Sequence, residues 1–136
     1  MEVMFDRVAG LDVGKETVTV CVRTPGPRGG RRSETRTFKT MFGSLRVMRD
    51  WLVEAGVTIA AMESTSTYWK PPFYCLEEVM VVWLLNAAHM KAVPGRKSDV
   101  RDAEWIAQLL EHGLLAPSFV PTPEIRRLRL LTRYRM

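Results

Sequence analysis

Val8-Ala9-Gly10-Leu11-Asp12-Val13-Gly14-Lys15-Glu16-Thr17-Val18-Thr19-Val20-Cys21-Val22 is the stretch that decides the fold. Its first six residues form an apolar run without alternation, the pattern of a strand covered on both faces. Gly14-Lys15-Glu16 turns the chain. Residues 17–22 then alternate, with Val18, Val20 and Val22 on one face and Thr17, Thr19 and Cys21 on the other, so a second strand pairs back as a hairpin. One residue does not belong in such a run. Asp12 places a carboxylate inside an otherwise apolar strand.

Outward from this hairpin, residues 24–33 hold two Pro, three Gly and three Arg and read as a flexible basic loop. Residues 34–40 have the threonine content of an edge strand. Ser44 is expected to cap a helix whose apolar positions Leu45, Met48, Trp51, Leu52 and Ala55 keep helical spacing, with Gly56 as its stop. Residues 57–63 read as another buried strand that ends on Glu63, and a polar loop at 64–67 leads to a short helix at 71–78. Residues 79–85 form the last strand. A basic connection over 86–97 contains Pro94-Gly95-Arg96-Lys97, after which Ser98 caps a helix spanning 99–112 that closes at Gly113. Thr122, Pro123 and Glu124 open a final helix with no terminator before the end of the sequence. The expected order is βββαβαβα plus a helical extension.

With 136 residues, 46% of them hydrophobic, the chain can bury one core, which excludes a disordered tail. No apolar run is long enough for a membrane span, and Glu2 and Asp6 stand where a signal peptide would be basic. The expectation is a cytoplasmic protein with no membrane partner. Cys21 and Cys75 read as small buried side chains rather than a crosslink, and no Cys/His metal cluster is present. The net charge of +5 is concentrated at one end, since five arginines between 117 and 136 face Glu124 alone. Such a segment suits an acidic polymer, although an ordinary solvated basic helix has the same composition.

Two further acids share an unexpected direction. On a helical wheel starting at Asp99, Asp102 lies at about 300°, Ile106 at about 340°, Leu110 at about 20° and Ala103 at about 40°. Both carboxylates therefore point with the apolar stripe, into the protein. Compensation of the helix dipole explains Asp99 but not the direction of Asp102. Burying an ionised carboxylate costs several kcal/mol unless a cation or hydrogen bonds compensate it. Four acids on inward faces, with Lys15, Arg96, Lys97 and Arg101 as the available basic partners, suggest that a metal supplies the missing charge. Carboxylates without His or Cys suit Mg²⁺ or Mn²⁺. Two such ions about 4 Å apart can activate a nucleophile and stabilise the leaving oxygen of a phosphodiester.

These residues, in this order on this chain, resemble the ribonuclease-H-like superfamily, the RuvC-type nuclease domain within it, and more closely the DEDD transposases of the insertion-sequence-110 family, relatives of the Piv DNA invertase. Gly10-Leu11-Asp12-Val13-Gly14-Lys15, Met62-Glu63-Ser64-Thr65 with Tyr68-Trp69-Lys70-Pro71, and Gly95-Arg96-Lys97-Ser98-Asp99-Val100-Arg101-Asp102-Ala103 carry the resemblance. It implies an α/β ribonuclease-H-like mixed sheet in which Asp12, Glu63, Asp99 and Asp102 form the tetrad that binds Mg²⁺ or Mn²⁺ and catalyses. Lys15, Thr65, Arg96, Lys97 and Arg101 would lie near the nucleic-acid backbone. It further implies DNA transposition by strand cleavage and exchange, guided by a structured RNA, in a homo-oligomer. Residues 1–116 would be the catalytic domain and 117–136 the start of a helical segment, with the family's later nucleophilic-serine domain absent from this chain. Arg126, Arg129 and Arg133 would touch RNA or DNA from that helix, and its apolar face would drive self-association. The chain departs from the family at Ser66, often Gly, and at Ser98, commonly Thr.

Several residues invite blander readings. Tyr68, Trp69, Phe73 and Tyr74 are better explained as packing around a short helix than as base-stacking platforms. Trp105, off the centre of the apolar stripe, is expected to face a partner subunit. His89 and His112 lack the neighbours of a nucleophile's base. Lys15 is not a P-loop lysine, since the leading Gly and following Ser/Thr are absent. A second function class, an actin-like or sugar-kinase ATPase half, fits Gly10-Leu11-Asp12-Val13-Gly14 but gives no role to Asp99 and Asp102. A third is a non-catalytic nucleic-acid-binding module.

Overall fold

A computed structural model describes residues 2–64, 67–85 and 102–117. Its elements are β1 (Val8–Val13), β2 (Thr17–Pro25), β3 (Arg31–Lys39), α1 (Phe42–Glu54), β4 (Ile59–Ser64), α2 (Lys70–Leu76), β5 (Val81–Leu84) and α3 (Asp102–Glu111). The sheet order is β3-β2-β1-β4-β5. β1, β2 and β3 pair antiparallel, whereas β4 pairs parallel to β1 and β5 parallel to β4. A mixed sheet of this kind needs cover on both faces where its strands are parallel.

The period-two pattern distributes side chains to two cores. Ala9, Leu11 and Val13 of β1, Val18, Val20 and Val22 of β2, and Ala60 and Met62 of β4 meet Leu45, Met48 and Leu52 of α1 and Phe73 and Leu76 of α2. On the opposite face Val8, Cys21, Ile59 and Ala61 meet Ala103, Ile106, Ala107, Leu109 and Leu110 of α3. The unalternated run of β1 is thus explained, because both of its faces are buried. The inward stripe read on the last helix is also the observed one.

Boundaries differ where the chain uses its backbone rather than side chains. β2 extends to Pro25 and β3 begins at Arg31, so the long basic loop shrinks to a tight connection in which Gly26 N–H donates to Gly30 O at 2.9 Å. Gly29 and Gly30 supply its left-handed conformations, at φ 81° and 72°. Ser44 does not cap α1. Met41 occupies the N-cap without a side-chain hydrogen bond, and its carbonyl accepts from Leu45 N–H at 2.9 Å. Gly56 ends the helix as expected, at φ 78°. α2 starts one residue early at Lys70, tolerating Pro71 and Pro72 in its first turn, where no helical N–H is required. β5 starts two residues later than the apolar run, at Val81. The proposed helix starts at Ser98 and Thr122 lie outside the described residues.

Cys21 is fully buried and Cys75 half-buried, both as free thiols. They pack against opposite faces of the sheet. Burial pushes the Cys75 thiol above its ordinary range. No helix among the described residues is long and apolar enough to cross a membrane.

Candidate functional site

The register brings the strand acids side by side. Asp12 is the penultimate residue of β1 and Glu63 the penultimate residue of β4, and they are direct partners in the parallel ladder. Both belong to the face that carries α3, since their alternation partners Gly10 and Ala61 lie beneath that helix. Position at the carboxyl ends of parallel strands is where open α/β sheets hold ligands. Asp102 begins α3 and, with Asp12, lines a cleft of about 480 Å³ together with Thr19, Thr35, Arg36, Thr37 and Ala103. Asp12, Glu63 and Asp102 are each half-buried. Glu63 Oε2 is shut off from solvent.

Gly10 sets the approach of α3 to these acids. A Cβ there would stand 2.5 Å from Ala107 N and closer still to Ala103 O, so the helix backbone rests directly on the β1 backbone. The two alanines and the glycine are the small residues that let Asp102 come down beside Asp12.

The far end of α3 is fastened differently. Glu111 is 1% exposed and receives Arg23 Nε at 2.9 Å and Arg31 Nε at 3.0 Å on one oxygen. His112 Nε2 lies 3.4 Å from the other oxygen. Burial raises the Glu111 pKa, but the hydrogen bond and charge of Arg23, joined by Arg31, outweigh it and hold the carboxyl below its ordinary value of 4.5. Arg31 also donates to Asp6 O at 2.6 Å, and Met4 N–H and Phe5 N–H close on Glu111 O. The sequence reading missed this cluster. It also gives no site role to Thr19, Thr35 and Thr37 of the cleft, because alternation on one strand and threonine content on the next already fit ordinary strands.

Lys15 is exposed in the turn after β1, and its carbonyl accepts from Thr40 Oγ1 at 2.8 Å. Asp99, Thr65, Arg96, Lys97, Arg101, Arg126, Arg129 and Arg133 lie outside the described residues, as does His89. Trp69, Phe73 and Tyr74 form a set of edge-to-face rings, the packing role expected of them. Trp105 is half-buried and packs against the α3-side core, as do Phe5 and Trp83, which meet edge to face.

The donor chemistry of Asp12, Glu63 and Asp102, oxygen only and anionic, fits a hard divalent cation. Among the described residues no three of His, Cys, Asp and Glu stand close enough together to enclose a metal ion, so a complete centre would draw on residues outside that set.

No curated protein matches the chain in sequence. Thermus thermophilus RuvC in complex with a Holliday junction substrate is similar in structure, with a TM-score of 0.56 and 15% identity over 82% of this chain and 99% of that one. A second Thermus thermophilus RuvC structure gives 0.49 and 16% over 84% of each chain. The fold is therefore the RuvC-like, ribonuclease-H-like α/β fold. A family model described as a transposase, that of the insertion-sequence-110 DEDD group, matches residues 9–136. The chain belongs to the DEDD transposases of the insertion-sequence-110 family.

Proposed function

We propose that residues 1–116 are the nuclease-like domain of a recombinase that cleaves and exchanges DNA strands with the help of Mg²⁺ or Mn²⁺, directed by a structured RNA and acting as a homo-oligomer in the cytoplasm. Residues 117–136 would open the helical segment that follows it. The observation that carries this reading is a single cleft lined by Asp12, from the first strand, and by Asp102, from the last described helix, with Glu63 paired in register beside Asp12. The RuvC of similar fold is known with a Holliday junction substrate, which supports DNA as the polymer.

Asp12, Glu63, Asp99 and Asp102 would hold the divalent ion. Bound there, it would activate a water or a DNA hydroxyl toward the phosphodiester and neutralise the departing oxygen. The ladder holds Asp12 and Glu63 on neighbouring strands, roughly 4.8 Å apart, so their spacing is set by backbone rather than by flexible side chains. α3 excludes water from the sheet behind them and brings Asp102 to the cleft. Lys15, Arg96, Lys97 and Arg101, with Thr65, would meet phosphates around the cleft, and Arg126, Arg129 and Arg133 the RNA or DNA beyond it.

Titration of the chain with Mn²⁺, followed by its electron paramagnetic resonance, tests the centre. Asp12→Asn and Asp102→Asn should each weaken binding at least about tenfold, since loss of even a group that only supports a metal ligand costs about 10- to 100-fold. Lys15→Ala should leave Mn²⁺ binding intact and weaken DNA binding. Equal Mn²⁺ affinity in all four proteins would refute the assignment, and tight Mg-ATP binding insensitive to Asp102→Asn would favour the sugar-kinase reading in its place.

A further inference from the structure

Asp12 and Asp102 in the cleft, with Glu63 beside Asp12 in the ladder, repel the phosphates of the strand they would cut. The strand therefore needs contacts outside the cleft that hold it without competing for the acids. The face of the sheet next to α3 offers such contacts on β2 and β3. Register places Glu63, Asp12, Thr19 and Thr37 in one row across four strands, so the acids and the threonines are continuous. Along β3 the same face carries Lys39, Thr37, Thr35, Ser33 and Arg31, paired with Thr17, Thr19, Cys21, Arg23 and Pro25 of β2. None of these ten residues is acidic. Glu34 belongs to the opposite face, where it pairs with Arg36 at 3.0 Å.

Burial separates this strip into two parts. α3 packs on β1, β2 and β4, and at its far end Arg23 and Arg31 are committed to Glu111. Beyond the helix, Ser33, Thr37 and Lys39 are exposed, and Thr35 and Thr19 are half-buried. Thr35, Thr37 and Thr19 also line the cleft that holds Asp12 and Asp102. Lys39 stands at the end of β3 nearest the β1–β2 turn, where Thr40 N–H donates to Glu16 O at 3.0 Å and Lys15 is exposed. Strand propensity accounts for threonine on an edge strand. It does not account for a face free of acids, open beside the helix, and continuous with the acidic cleft.

We infer that this β2–β3 face, with Thr35, Thr37 and Lys39 at its centre, binds the sugar–phosphate backbone of one DNA strand and leads it into the cleft. The inference deepens the function proposed above and rests on it. Side chains on one face of a strand recur about every 6.8 Å, a repeat comparable to successive phosphates of an extended strand. Hydroxyls donate to phosphate oxygens and fix the position of a backbone without reading its sequence. Lys39 supplies the charge that the acids oppose. Two strands' width of hydroxyls admits one backbone and not a duplex, so a single strand is the occupant. Thr37, two strands from Asp12, is about 10 Å away across the sheet, so a backbone seated along β3 passes beside the acids.

The test uses the chain, a short fluorescein-labelled DNA strand and fluorescence anisotropy in Mg²⁺. Thr35→Val with Thr37→Val removes the hydroxyls and keeps the branched shape that suits a strand. That double variant should bind the strand about tenfold more weakly, and Lys39→Gln should reduce the salt slope by about 0.7. Mn²⁺ affinity and the thermal midpoint should match the parent in both, which separates lost contacts from lost fold. Affinity within about twofold of the parent in both variants would overturn the inference. So would equal loss for a blunt duplex, or tighter binding of an RNA strand of the same sequence. If Asp12→Asn and Asp102→Asn keep full Mn²⁺ affinity while the β3 variants lose DNA, the metal reading fails and the strand-binding face stands.

Discussion

At Gly10 the absent side chain matters more than any present one, because the α3 backbone at Ala103 and Ala107 occupies the space a Cβ would need. In an ordinary strand, Gly→Ala at a compatible backbone stabilises by narrowing the unfolded ensemble. Here the opposite is expected. The atoms in the way are backbone on both sides and cannot rotate aside, so Gly10→Ala should cost about 3 kcal/mol, the upper range for overpacking. Urea denaturation reads that loss. Ala103→Gly, which leaves the obstructing carbonyl in place, should not rescue it. A Gly10→Ala chain as stable as the parent would mean that α3 does not rest on β1 as described.

α3 combines two kinds of attachment, and they respond differently to pH. The apolar contacts along its length are non-directional and let a helix slide. Glu111, held by Arg23 and Arg31, fastens the far end of the helix to the β2–β3 hairpin. Glu111→Gln leaves two guanidinium groups near a neutral amide. At neutral pH it should cost about 3 kcal/mol, the low end for a broken buried pair because the arginines keep some solvent contact. The Glu111 carboxyl lies below its ordinary value of 4.5 in the folded protein, so its stabilisation is complete above about that pH and is lost as pH falls through the lowered native value. Parent and variant should therefore differ most at neutral pH and converge in acid. Urea midpoints between neutral pH and about pH 3 would show this convergence, and a constant gap would assign the loss to packing instead.

For the molecule as a whole, what could be read in advance was what repeats locally. Alternation on β2, the unalternated β1 and the stripe on α3 each assign faces without knowledge of any other element, and these faces also reveal Asp12, Glu63 and Asp102 as acids out of place. Glu111 was illegible for the opposite reason. On the wheel it lies about 120° from Asp99, outside the apolar stripe. Only the extended β2–β3 hairpin, reaching past the helix end with Arg23 and Arg31, buries it. Ser44 misled because the helix begins two residues earlier, at Phe42, with Met41 at its N-cap and no side-chain cap.

Ion binding and folding are thermodynamically linked. A site drawn from β1, β4 and α3 exists only in the folded chain, so a bound ion stabilises every element at once. Mn²⁺ at about a hundred times its dissociation constant should add about 2.7 kcal/mol and raise the melting temperature by about 10 °C for a chain of this size. The increment depends on where Asp102 stands and not on how stable the fold is. Glu111→Gln acts at the opposite end of α3, about 13 Å from Asp102, while the Gly10 contact still locates the helix beside Asp12. That variant should melt lower yet gain nearly the parent's increment. Gly10→Ala lifts the helix at the cleft itself and should lose most of the increment, as should Asp12→Asn. Scanning calorimetry with and without Mn²⁺ on the four proteins separates position from stability, and increments that simply follow each variant's own melting temperature would contradict the role given to the close approach of α3.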